Sequence, residues 1–177
     1  MVIQNKVELC YWGAEYHIDV QYHHGGVWKK KSKRIAGDFV NMWGPALAEA
    51  SRVADTYGCS VSFNSGILYK LNRDGNEKMR RDAGMVVDHD GVTWVSSDLE
   101  SFATKIPKHE EGVRFMRAYN FPHRNGWRWS VCEVSFSHIR DFKVLYNPNN
   151  NFDTFWDCIV DATSWRRKNS QHFKEGE

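Results

Sequence analysis

Residues 14–22 alternate with period two. Tyr16, Ile18, Val20 and Tyr22 fall on one side, and Glu15, His17, Asp19 and Gln21 on the other. A strand buried on one face and wetted on the other has this pattern, and a one-residue slip would invert it. His24-Gly25-Gly26 then supplies a turn, and Val27 to Ser32 reads as the returning arm of a hairpin. That arm opens the run Trp28-Lys29-Lys30-Lys31-Ser32-Lys33-Arg34, five cations in six residues behind a Trp. Lysines in such an arm also suit a sheet edge that must not pair with another chain.

The remaining pattern is α+β. Asp38 to Tyr57 carries Phe39, Trp43, Ala46, Ala50, Val53 and Tyr57 as one apolar stripe. Pro45 suits a first helical turn, and Gly58 a left-handed cap. This main helix, over about 38–57, is expected to pack on a mostly antiparallel sheet, with Phe39, Leu47, Val53 and Tyr57 against Tyr16, Ile18, Val20 and Tyr22. Cys59 to Phe63 and Ile67 to Leu71 read as strands around an Asn64-Ser65-Gly66 turn, and Asn76 to Ala83 as a short helix. Met85 to Val87 and Val92 to Val95 flank Asp88-His89-Asp90-Gly91 as a hairpin. Ser97-Asp98-Leu99-Glu100 fits a capping box, predicting a short helix to Lys105. Val113 to Phe121, Trp127 to Phe136 and Phe142 to Tyr146 read as strands. A C-terminal helix is expected over about 152–167, with acidic residues early and Arg166-Arg167-Lys168 late, as the helix dipole favours. At 177 residues the chain can bury its own core. One domain is expected over 1–168, with 169–177 as a frayed tail.

Composition narrows the function. Net charge is only +2, but it is unevenly spread. Residues 1–36 hold six cations against three anions, and residues 112–151 six against two. Cys10, Cys59, Cys132 and Cys158 show no metal-finger spacing. They read as free thiols of a reducing, cytoplasmic compartment. Met1 to Lys6 does not read as a signal peptide. No apolar run approaches the roughly 18 residues of a membrane span. Gly-rich phosphate loops and nucleophile elbows are absent from the sequence, which leans away from an enzyme.

Two further clusters interleave cations with rings: Arg124, Trp127, Arg128 and Trp129, and Trp165 with Arg166 and Arg167. Cations neutralise phosphates and rings stack on unpaired bases. The expected function is therefore a small binding or regulatory module for an anionic partner, either nucleic acid or an acidic protein surface. It would act by occupancy, in keeping with a viral or mobile-element accessory or inhibitor protein, and would need no cofactor. The expected binding residues are Trp28, Lys29, Lys30, Lys31, Lys33, Arg34, Arg124, Trp127, Arg128, Trp129, Arg166 and Arg167.

Two enzymatic alternatives stand beside it. Asp88-His89-Asp90 holds ligand types for a divalent metal, which a nuclease would use. Val92-Thr93-Trp94-Val95-Ser96-Ser97, followed by Glu133 on a later strand, resembles the Ser-rich strand and catalytic Glu of ADP-ribosyltransferase-like enzymes. That resemblance implies NAD as cofactor, with Glu133 catalytic beside Ser96. The family's first-strand Arg or His has His17 and Arg73 as candidates.

Overall fold

The structure is a computed structural model that describes residues 4–106, 108–121 and 126–173. The fold is α+β, as its residue pattern predicts. Where one domain was expected, the residues cluster into two compact units, Met1–Ala83 and Gly84–Glu177.

The first unit opens with an antiparallel meander of β1 (Lys6–Trp12), β2 (Glu15–His24) and β3 (Val27–Ala36). β4 (Val61–Phe63) then returns to lie parallel to β1, giving the order β3-β2-β1-β4. Gly25 and Gly26 both take positive φ, the backbone a tight turn between β2 and β3 requires. Helix α1 (Trp43–Thr56) buries Trp43, Ala46, Ala50 and Val53. Val7, Leu9, Tyr16, Ile18 and Val20 are buried on one face of the sheet, and Cys10 and His17 on the other. Leu47 is only half-buried and Tyr22 likewise, so the helix is rotated from the expected contact.

Residues 67–71 are helical, not extended. Asn64 caps α2 (Ser65–Asp74) by accepting from the Ile67 amide at 2.8 Å. Ile67, Leu68 and Leu71 are buried at helical spacing. The short helix α3 (Glu77–Asp82) follows, capped by Asn76.

The second unit is an antiparallel meander of β5 (Val86–His89), β6 (Val92–Val95), β7 (Ser101–Thr104), β8 (Arg114–Phe121), β9 (Gly126–Val134) and β10 (Phe142–Tyr146). α4 (Phe155–Lys168) packs on β8 and β9. Its core joins Trp94, Phe102, Met116, Trp129 and Val131 to Cys158, Ile159 and Ala162. α4 starts at Phe155 because Thr154 caps it, accepting from the Asp157 amide. Phe152 instead bridges Trp127 through paired backbone hydrogen bonds. Of the expected frayed tail, Ser170–Phe173 forms a 3-10 turn.

The expected helix ending at Lys105 is a turn and a strand. Ser96, rather than Ser97, accepts from the Asp98 and Leu99 amides at 3.2 and 2.8 Å. Leu99 then takes φ +64°, which an α-helix does not tolerate. Asp98 caps the Glu100 and Ser101 amides, and the chain leaves as β7. All four cysteines are free thiols. Among the described residues no helix is long and apolar enough to cross a membrane.

Candidate functional site: a basic edge strand

Among the described residues β3 is the terminal strand of its sheet and pairs with β2 alone. Every residue from Val27 to Arg34 is exposed. The pairing register decides where each side chain goes. Lys29, Lys31 and Lys33 stand opposite Tyr22, Val20 and Ile18, on the face that carries α1. Trp28, Lys30 and Arg34 stand opposite His23, Gln21 and His17, on the other face. The strand therefore presents cations to both sides of one edge. Same-side neighbours are about 6.7 Å apart, two strand rises.

The cations differ in their surroundings. Lys33 pairs with Glu49 at 2.7 Å, and Arg52 binds the same carboxylate at 2.5 Å. Arg52 first, and Lys33 second, hold the Glu49 carboxyl down to about 2. Lys31 lies 5.0 Å from the Tyr57 ring centre, and the Tyr57 hydroxyl keeps it above the usual ammonium range. Lys29, Lys30 and Arg34 have no ion-pair partner among the described residues. Trp28 is 52% exposed, its ring edge-on to His23 at 5.5 Å. On the α1 side, Lys31, Lys33 and Arg52 rim a groove of about 230 Å³ floored by Ile18, Val20 and Val53.

The basic-aromatic clusters of the second unit are largely absorbed by packing. Trp129 is 2% exposed, and its indole N–H donates to Asp161 at 2.8 Å. It is a core residue and offers no ring face to a partner. Trp127 packs on Phe155, with ring centres 5.0 Å apart. Arg128 lies over the Phe121 ring at 5.6 Å. The alternation Trp127, Trp129, Val131 on β9 is the sequence signal for one inward face. Arg167 pairs with Asp90, and Arg166 lies 4.2 Å from the Phe173 ring centre. Arg124 lies outside the described residues.

The residues of the enzymatic alternatives are placed as follows. Asp88 accepts from the Thr93 hydroxyl at 2.6 Å, and His89 meets Trp156 edge-on. Asp90 and Gly91 take the paired positive φ of a tight hairpin turn. Glu133 pairs with Lys143 at 3.1 Å and Arg114 at 3.4 Å. Lys143 first, then Arg114, hold its carboxyl below the usual carboxylate range. Glu133 lines a mixed-charge groove of about 740 Å³ with Lys105, Arg114, Arg166 and His172. Ser96 follows β6, and β7 and β8 lie between that strand and β9. Following the register across the sheet, Ser96 falls in the row of Trp129, four residues along β9 from Glu133. Ser96 and Glu133 are thus not brought together. Comparison with protein-family models, with curated proteins and with solved structures finds no match to this chain.

Proposed function

We propose that the chain is a nucleic-acid-binding module that engages a single strand along β3. One observation carries this reading: an exposed edge strand whose Lys29, Lys30 and Arg34 have no ion partner among the described residues, with the exposed ring of Trp28 at its start. Lys105, Arg140 and Lys168 are exposed and unpaired as well, but each stands on a separate segment, whereas these three share one edge strand. The two-sided display favours nucleic acid over an acidic protein surface. A flat acidic patch meets one face of an edge, whereas a flexible phosphate backbone runs along the edge and reaches cations on both. A spacing of about 6.7 Å between same-side lysines is comparable to the phosphate repeat of an extended strand. Trp28 and His23 add faces on which bases stack in a sequence-tolerant way. Binding then works by occupancy, and no residue need do chemistry.

The test is fluorescence anisotropy with labelled single-stranded DNA and RNA oligonucleotides across a salt series. Each phosphate neutralised contributes about −0.7 to the slope of log K against log salt. Four or five contacts therefore give a slope of about −3. Changing Lys29, Lys30, Lys31, Lys33 and Arg34 to Gln should abolish binding while circular dichroism stays unchanged. Trp28→Ala should weaken binding about tenfold or more, the worth of one stacked base. A flat salt dependence, or a quintuple variant that binds normally, overturns the proposal. So does an absence of binding at low salt, the result an acidic protein partner requires.

A further inference from the structure

In the second unit α4 covers one face of β8 and β9, where Met116, Ala118, Trp129 and Val131 turn to the helix. The residues between them turn to the other face. The register there sets Arg117 opposite Ser130, and Tyr119 opposite Arg128. Arg117 and Arg128 are therefore diagonal neighbours, with Cβ atoms about 7 Å apart. Both are half-buried. The residues that share this face on β7, β8, β9 and β10 include no Asp or Glu. Glu133 and its partner Lys143 lie on the α4 side.

Two observations mark this pair as a site for anions. The first is that their donors go unanswered. Neither guanidinium has a hydrogen bond or an ion pair among the described residues. Arg128 Nε is shielded from solvent and still has no hydrogen-bond partner there. A buried charged donor without an acceptor costs free energy, and two like charges this close add repulsion. An anion between them removes both penalties. The second is how the two side chains are held. Arg117 Cζ lies 4.9 Å from the Tyr119 ring centre and 5.5 Å from that of Phe142, and Arg128 Cζ lies 5.6 Å from that of Phe121. A ring engages the flat face of a guanidinium and leaves the donors at its edge for a ligand. Both forks are thus ordered beforehand, which lowers the entropy lost on binding.

We propose that Arg117 and Arg128 bind two successive phosphates of a single-stranded nucleic acid on the sheet face opposite α4. The inference rests on the reading of the partner as nucleic acid and gives the second unit its own contact with it. Phosphate oxygens match the planar fork of a guanidinium, which donates two parallel hydrogen bonds. The separation of the two arginines is comparable to the phosphate repeat of an extended strand, as it is along β3. A strand supplies anions at that repeat to both forks. Phosphate contacts carry no sequence information, so this site positions the strand without reading it. Strand alternation is what makes the site. It sends Trp127 and Trp129 to the helix side and Arg128, between them, to the other.

Proton–nitrogen NMR of the arginine side chains in the wild-type full chain is the first test, with a short unstructured DNA oligonucleotide as the probe. The Nε–Hε signals of Arg117 and Arg128 should move downfield on titration. Inorganic phosphate at the same phosphate concentration should leave them in place. Anisotropy gives the energetics. Changing Arg117 and Arg128 together to Gln should lower low-salt affinity about tenfold or more. The salt slope should become shallower by about 1.4, the share of two phosphates. Arg128→Lys keeps the charge and loses the fork, so its slope should hold while affinity falls. Arginine signals that the oligonucleotide does not move overturn the site. So do signals that inorganic phosphate moves equally, or a double variant that folds and binds as wild type does. A double variant that loses affinity while the β3 quintuple variant binds normally keeps this site and overturns the ribbon. The converse keeps the ribbon and overturns this site.

Discussion

Two stretches of this chain carry the same chemistry and meet opposite fates. Trp28 to Arg34 and Trp127 to Trp129 both interleave rings with cations on a β-strand. β3 ends its sheet, so its cations project to both faces and its Trp stays in water. β9 lies between β8 and β10 with α4 packed on it, so Trp129 becomes core. The difference lies in neighbours, not composition. A ring with a layer to bury it stabilises the fold, whereas a ring at an edge with charge beside it is available for recognition. Position in the sheet therefore separates the candidate site from its look-alike.

The largest expected effect tests that contrast directly. Trp129→Ala removes a buried indole from contact with Trp165 and Tyr146 and orphans Asp161. It should cost about 3–5 kcal/mol in urea denaturation. Trp129→Phe keeps most of the ring and loses the hydrogen bond, for about 1 kcal/mol. Trp28→Ala should stay within about 0.5 kcal/mol of wild type, as exposed substitutions do. Equal costs at the two positions would erase the distinction between core ring and recognition ring.

The helices of the first unit sharpen the comparison at a smaller scale. Leu71 is fully buried, whereas Leu47 is only half-buried. Leu71→Ala should cost about 2–5 kcal/mol. Leu47→Ala should cost about 1 kcal/mol, in proportion to the smaller apolar area it removes from water. Urea midpoints at constant slope give both values. A larger loss at Leu47 than at Leu71 would place the expected α1 contact back in the core.

These positions also show how much was legible beforehand. The alternation of Tyr16 to Tyr22 and the Gly25-Gly26 turn specified the β2–β3 hairpin, and with it the ribbon. The β5–β6 turn, the β8–β9 pair and α4 were likewise written in period and turn chemistry. Ile67 to Leu71 was not, because five residues fit either period. Only Asn64, an N-cap, pointed to a helix. The Ser96–Asp98 segment carries real capping side chains, but Leu99 turns the chain out of the helix. Side-chain capping marks a turn before it marks a helix. At the site level, the exposure of Lys29 to Arg34 followed from their charge. The contacts of Cys10 with Glu8 and Asp19 depended on cross-strand register, which no linear spacing reveals.

The smallest effect concerns Glu49, which pairs with a cation of the ribbon. Glu49 holds Lys33 and Arg52 on the α1 side of β3. Its carboxyl is depressed to about 2 from an ordinary value near 4.5. Stability from this pairing is therefore fully present above about pH 4.5. It fades as pH falls toward 2, when the carboxyl protonates in the folded chain as well. Because Glu49 pairs in exposed surroundings, the gain is modest and falls with salt. Glu49→Gln should lower the melting temperature slightly at pH 7, and the two curves should converge as the pH approaches 2. Its effect on binding has the opposite sign. Removing the carboxylate releases Lys33 and Arg52 to a phosphate backbone, so oligonucleotide affinity at low salt should rise by roughly two- to fivefold. The salt slope should steepen with it, since more counterions are released. Weaker binding in Glu49→Gln would mean that Glu49 positions the two cations for the partner rather than competing with it.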